Sequence, residues 1–220
     1  MENEINYPHI LSFLNAVTQQ AHPLLNEMEE YARKAYIPII QRESARLLQV
    51  LCMLTKPRRI LEIGTAIGYS SILLAETLVQ PGIVDTIELD EERADEAERY
   101  IHRAGLDRTI RVLRGDAYEV LQCLQSPYDF IFLDAAKGQY MEFLPQCLRL
   151  LNPGGLLISD NILYRGIVAK EGPVEHKHRT IAVRLKAYIQ ALMSDESLLT
   201  SIIPIGDGMA VSIKKALPNR

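Results

Sequence analysis

Cysteine is scarce in this chain. Cys52, Cys123 and Cys147 lie far apart and include no C-x-x-C pair. An odd, scattered set excludes a disulfide framework and a zinc cluster, and leaves apolar packing as their role. Long hydrophobic runs are also lacking, and no stretch approaches the roughly 18 apolar residues of a membrane span. The start, Met1-Glu2-Asn3-Glu4, is acidic and leads into no apolar signal core. Neither sign of charge dominates: 24 Lys and Arg face 28 Asp and Glu, a net charge of −4. That balance excludes a chain that is polybasic throughout. It reports solubility rather than the chemistry of one site, so an RNA substrate held on a local basic face stays open. There is no internal repeat, low-complexity tract or Gly/Ser-rich linker. The expectation is one domain over 1–220, soluble and cytoplasmic, with no membrane contact.

What is present is a composition able to build a core, 48% hydrophobic and 24% charged. Residues 1–55 read as a helical cap. Ile10, Phe13, Leu14 and Val17 recur at helical spacing, as do Leu47, Leu48, Leu51 and Leu54. His22-Pro23 and Ile37-Pro38 break this region, because a residue before proline disfavours the helical state. Residues 56–220 read as alternating strands and helices. Strands fall at 59–63, 83–89, 109–113, 128–133 and 156–159, the last after an Asn152-Pro153-Gly154-Gly155 turn. Helices fall at 69–78, 90–104, 118–124, 139–151 and 180–193. Residues 198–204 and 209–214, joined by Gly206-Asp207-Gly208, read as a closing hairpin. The fold class is α/β, a mostly parallel, doubly wound sheet with a C-terminal antiparallel hairpin. Ligands of such sheets sit at the carboxyl ends of the strands.

The first strand runs into Glu62-Ile63-Gly64-Thr65-Ala66-Ile67-Gly68-Tyr69-Ser70. Gly64 and Gly68 permit a tight strand-to-helix turn and close approach of a ligand. A dinucleotide fingerprint would place glycine where Ala66 stands, at the point of pyrophosphate contact. The loop therefore suits a nucleoside without phosphates. Glu62 adds negative charge beside it, compatible with a sulfonium or an amino group. Glu88 ends the second strand, placed to accept hydrogen bonds from ribose hydroxyls. Gly115-Asp116 follows the third strand, placed to meet an adenine ring.

The fourth strand ends in Asp134, with Lys137 three residues on, and the fifth in Ser159-Asp160-Asn161. Two carboxylates and a carboxamide are hard oxygen donors, which favours Mg²⁺ over zinc. A substrate with two neighbouring oxygens would complete the coordination, and Lys137 stands close enough to take a hydroxyl proton. The plainer alternative is that Asp134 caps the next helix, Asp160-Asn161 makes a turn and Lys137 is a surface lysine.

Through the 62–70 loop, Glu88, Gly115-Asp116, the 133–137 segment and Ser159-Asp160-Asn161, the chain resembles the catechol O-methyltransferase-like family of class I methyltransferases. The resemblance covers nearly the whole chain. It implies a Rossmann-like seven-stranded sheet, S-adenosylmethionine as methyl donor and Mg²⁺ as metal. Ile40, Gly64, Ser70, Glu88, Gly115, Asp116 and Asp134 would touch the donor. Asp134, Asp160 and Asn161 would bind the metal, and Lys137 would be the general base. It further implies a homodimer with the N-terminal helices covering the site. Through Tyr36-Ile37-Pro38-Ile39, the 159–163 segment and Gly206-Asp207-Gly208-Met209, the chain is most similar to bacterial tRNA 5-hydroxyuridine methyltransferases. That implies 5-methoxyuridine at the tRNA wobble position as product. From Arg165 to Lys186 there are six Lys and Arg against two Glu, with His176 and His178, and Tyr164 is a candidate for base stacking. The alternatives are a small-molecule enzyme acting on catechols or related phenolics, and a nucleoside-binding protein without catalysis.

Overall fold

The computed structural model describes residues 5–18, 22–79, 81–172 and 174–216, so the acidic start at 1–4 lies outside the described residues. Short apolar strands form its centre. In chain order these are β1 (Arg59–Ile63), β2 (Ile83–Glu88), β3 (Ile110–Arg114), β4 (Tyr128–Leu133), β5 (Leu151–Ser159), β6 (Leu198–Ile203) and β7 (Met209–Lys214). They make one seven-stranded sheet in the order β3-β2-β1-β4-β5-β7-β6. The first five strands are parallel, while β7 pairs antiparallel with both β5 and β6. This is the expected doubly wound sheet, with the hairpin entering so that its second strand lies inside.

Both faces of the sheet are covered, which is why its strands read as continuous apolar runs. Alternate residues take opposite faces. Ile60, Phe130, Phe132 and Ile158 join a core with Leu25, Met28, Leu48 and Ile72. Leu61, Ile63, Ile131, Leu133 and Leu157 join the other core with Phe143, Tyr188 and Leu192. The first core is closed by α2 (Pro23–Ala35), α3 (Arg42–Thr55), α4 (Tyr69–Thr77) and α5 (Glu91–Arg103). The second is closed by α6 (Ala117–Cys123), α7 (Tyr140–Leu150) and α8 (His176–Ser194). The remaining helix, α1 (Pro8–Val17), buries none of its residues.

The cap divides where the prolines require. His22 is the N-cap of α2 and its ring accepts the Leu24 N–H at 3.2 Å. After Tyr36, in the left-handed region with φ 54°, the chain runs extended to Gln41. Two boundaries differ from the sequence reading by more than one residue. Helix α8 begins at His176 rather than 180, because the basic first turn carries no helix breaker. The Asn152–Gly155 turn sits inside β5 as an irregularity, with Tyr128 opposite Leu151 and Phe130 already opposite Leu156.

Candidate functional site

A cavity of about 730 Å³ opens at the carboxyl ends of the parallel strands. It lies within the size range of small-molecule sites. A larger groove of about 1320 Å³ runs along α5, lined chiefly by solvated side chains of both signs such as Glu92, Arg99 and His102. The strand ends converge on the smaller cavity, the place where ligands of doubly wound sheets sit.

One half is built from backbone. Gly64 follows β1 with φ 106°, and its N–H reaches the Ile87 carbonyl at 3.0 Å. A Cβ on Gly64 would lie 2.2 Å from the Asp134 carbonyl oxygen, so the turn needs the bare backbone. Ala66 adopts φ 48°, and its N–H donates to Glu88 Oε2 at 2.8 Å. Leu89 and Asp90 donate their N–H groups to Oε1 of the same carboxylate, each at 3.0 Å. Three backbone donors thus fix Glu88, and a lone pair on Oε2 stays available. Asp116 N-caps α6 by accepting the Tyr118 N–H at 2.8 Å. Gly64, Ser70, Glu88, Gly115 and Asp116 all line the cavity, as does Ile40 from the cap.

Glu62 is placed differently from the sequence expectation. It shares the β1 face with Ile60 and is fully buried behind the loop, off the cavity wall. Ser71 and Thr86 hydroxyls donate to its Oε2, the latter at 2.6 Å, while Oε1 has no hydrogen-bond partner. Burial pushes its carboxyl up to about 7, against the lowering by its hydroxyl donors. The period-2 alternation that sends Leu61 and Ile63 one way sends Glu62 inward.

On the other half Asp134, Lys137 and Asn161 line the cavity, while Asp160 is buried and off its wall. Asp134 and Asp160 end the adjoining strands β4 and β5, held in step by the Asp160 N–H bond to the Leu133 carbonyl at 3.0 Å. Both carboxyls are raised, first by burial, and Asp160 further by the charge of Asp134, while Lys137 opposes the rise at each. Two carboxylates that repel one another out of water suit a divalent cation, which would favour both ionised forms. Among the described residues no third His, Cys, Asp or Glu joins them, while Asn161, which carries a carboxamide oxygen, lines the cavity beside them. Asn161 has φ 56°, and its N–H donates to Asp160 Oδ1 at 2.7 Å. Lys137 lines the same wall at the head of a short 3-10 turn. Neither that turn nor α7 takes a side-chain cap, which removes the capping alternative for Asp134. Tyr140 donates its hydroxyl to the Asp160 carbonyl at 3.1 Å, steadying the end of β5.

Lining residues that sequence reasoning missed include Asp207, Arg165 and Tyr69. Asp207 was legible as the centre of a glycine-flanked hairpin turn and as part of the 206–209 segment of the resemblance, with no role at the site. Burial raises its carboxyl, opposed by the Arg165 N–H and then by the charge of Lys137. Tyr69 donates its hydroxyl to Glu29 Oε1 at 2.6 Å, and Glu29 also accepts from Arg42, so the cap is tied to the Gly64 loop. Tyr164, the stacking candidate, instead meets His178 edge-on, with its hydroxyl 2.8 Å from Nδ1.

The described residues hold no helix long and apolar enough to cross a membrane. A family model described as O-methyltransferase matches residues 15–215. A catechol O-methyltransferase from Niastella koreensis is 34% identical over 182 residues, covering 80% of this chain and 82% of that protein. A caffeoyl-CoA O-methyltransferase from Populus kitakamiensis is 30% identical, covering 86% of each chain. The crystal structure of an O-methyltransferase from Bacillus cereus in complex with SAH superposes with a TM-score of 0.83 at 27% identity. It covers 94% of this chain and 97% of that one. From residue 15 to residue 215, the chain belongs to the O-methyltransferase family.

Proposed function

We propose that the chain is an S-adenosylmethionine- and divalent-metal-dependent O-methyltransferase for a hydroxyl that has a second oxygen beside it. The observation that carries this reading is the pairing of Asp134 and Asp160 on adjoining strand ends, with Asn161 and Lys137 on one cavity wall and the Gly64 loop beside them. Ile40, Gly64, Ser70, Glu88, Gly115 and Asp116 would hold the donor, Glu88 accepting from ribose hydroxyls and Asp116 near the base. Glu62 would set the loop from behind, through Ser70 and Ser71. S-adenosylmethionine would supply the methyl group on a positive sulfur. Asp134, Asp160 and Asn161 would hold Mg²⁺, which would lower the pKa of a bound hydroxyl and orient it. Lys137 Nζ would take the hydroxyl proton as the oxygen–carbon bond forms and the carbon–sulfur bond breaks, its electron pair going to sulfur. Alignment supplies much of the rate in such a displacement.

The named relatives support a small catechol-type phenolic as substrate. A second reading, 5-hydroxyuridine in tRNA, has its own observation. Two of the three segments that resemble the tRNA enzymes pack together at the cavity rim, where Ile162 and Leu163 donate their N–H groups to the Gly208 and Asp207 carbonyls at 2.9 and 3.0 Å. Exposed Arg165 lies beside them on the wall, and Lys177, Arg179 and Arg184 follow on α8. The 5-hydroxyl and 4-carbonyl of that base would present two neighbouring oxygens as a catechol does. The homodimer implied by the resemblance would use exposed Phe13 and Val17 of α1.

The test is methyl incorporation from labelled S-adenosylmethionine, with Mg²⁺ and with chelator. The acceptors are a simple catechol, tRNA bearing 5-hydroxyuridine and tRNA lacking it. Transfer that chelator does not reduce would remove the metal reading. Transfer to catechol alone supports the small-molecule reading, and transfer confined to the hydroxylated tRNA supports the second.

A further inference from the structure

We infer that Asp207 is a positioning residue of the methyl-transfer site, holding the Asn161 donor in place through the loop that follows it. The inference rests on the metal-dependent reading above. The loop after β5 is unusual in its backbone. Asn161, Tyr164 and Arg165 all occupy the left-handed region, with φ 56°, 48° and 57°. Side chains other than glycine rarely adopt that conformation, and they keep it only where the surroundings impose it.

The surroundings here are the Gly206-Asp207-Gly208 turn between β6 and β7. The turn grips the loop at successive points. Gly208 accepts the Ile162 N–H through its carbonyl at 2.9 Å, and the Asp207 carbonyl accepts the Leu163 N–H at 3.0 Å. The Asp207 carboxylate then accepts the Arg165 N–H. Leu163 packs so closely that a Cβ on Gly208 would lie 2.3 Å from its Cγ. The other side of the turn is backed by the cap, since a Cβ on Gly206 would lie 2.3 Å from Ser44 Oγ.

Of these three hydrogen bonds, the one to the Arg165 N–H is accepted by a side chain and the other two by backbone carbonyls. That carboxylate clamps the strained end of the loop, four residues past the Asn161 donor. Releasing it lets Tyr164 and Arg165 return to ordinary conformations, and Asn161 loses its fixed aim beside Asp134 and Asp160. Groups bonded directly to metal ligands set ligand orientation, and their loss costs about 10- to 100-fold in metal affinity; Asp207 acts one step further out, through the Arg165 N–H.

The test is direct Mn²⁺ binding by electron paramagnetic resonance. It uses the full chain with S-adenosylhomocysteine present, and thermal melting confirms the fold. D207A is expected to weaken Mn²⁺ binding about tenfold or more. D207N keeps an oxygen that accepts the Arg165 N–H and is expected to restore binding to within about threefold of wild type. Wild-type Mn²⁺ affinity in D207A would overturn the inference. So would equal losses in D207N and D207A, which would assign the effect to charge rather than to the clamp. If D207A does not fold, D207S, too short to reach the same N–H, takes its place under the same criteria. D160A separates the two levels of the argument: Mn²⁺ binding that survives there removes the metal reading itself, whatever Asp207 does.

Discussion

Gly64→Ala tests how tightly the two halves of the site are joined. The added Cβ would sit 2.2 Å from the Asp134 carbonyl oxygen, 2.8 Å from its carbon and 3.2 Å from the Ala135 nitrogen. Carbon and oxygen in ordinary contact stand more than 3 Å apart, so about 1 Å must be recovered by moving backbone. Neither side yields easily. The Gly64 N–H is bonded to the Ile87 carbonyl and the Asp134 N–H to the Ile63 carbonyl, each at 3.0 Å. Overpacking costs about 1–3 kcal/mol, and alanine at φ 106° adds about 1–3 kcal/mol. The expected loss is about 4 kcal/mol, or a fall in Tm of about 8–16 °C for a chain of this size. If strain is instead relieved by shifting Asp134, turnover should fall about 100-fold, the usual effect of a 1 Å misplacement. Melting by circular dichroism and turnover on whichever acceptor proves active read the two outcomes. Gly105→Ala is the control, since φ there is 69° with nothing within 4 Å of the added carbon, and it should cost only about 1 kcal/mol. A Gly64→Ala protein with wild-type melting and wild-type turnover would refute the reasoning.

Three further outcomes are expected. Glu62, raised from 4.5 to about 7, is protonated in the fold where the unfolded chain would be ionised. Its stabilising protonation is fully present below about pH 4.5 and is lost as pH rises through about 7, a change of about 3 kcal/mol. Urea melts of the metal-free protein should therefore show Glu62→Gln losing less stability than wild type between pH 5 and pH 8, and parallel curves would contradict the buried placement. Lys137→Ala should cut turnover about 100- to 10,000-fold with S-adenosylhomocysteine affinity unchanged by calorimetry, and an unchanged rate would remove Lys137 as base. Asp85 is fully buried and accepts from Arg59, Arg111 and the Tyr128 hydroxyl, so Asp85→Ala should cost about 3 kcal/mol in denaturant melts. That lies at the low end for one-sided removal of a buried pair, because both arginine stems reach solvent.

The sequence was most informative where burial is two-sided. Runs such as Tyr128-Asp129-Phe130-Ile131-Phe132-Leu133 leave one strand assignment, and glycine at 64 and carboxylates at strand ends follow from the geometry of a doubly wound sheet. Tertiary context decided the rest. Residues 152–155 look like a chain reversal in isolation, yet neighbours on both sides draw them into β5 as an irregularity. The start of α8 was hidden because its first turn is basic and exposed, with no apolar period to mark it. Glu62 was assigned to the ligand because local reading supplies no depth, whereas alternation with Leu61 and Ile63 turns it away from the cavity. Asp207 lies some 46 residues past Asn161 in the chain, and only the fold brings its carboxylate to the Arg165 N–H.

The position of β7 also sets a timetable for synthesis. Strand β5 carries Asp160 and Asn161 at its end, and its outer neighbour is β7, with Ser159 opposite Ala210 and Ile158 opposite Val211. Of the seven strands, β7 is the last to leave the ribosome. Until then β5 is an open edge, with unpaired N–H and C=O groups beside a buried carboxyl. At about 5–20 residues per second, the interval from Ser159 to Met209 lasts several seconds. The nascent chain therefore passes through a stage in which the Gly64 half of its cavity is built and the half beside β5 still lies at a sheet edge, exposed to other chains.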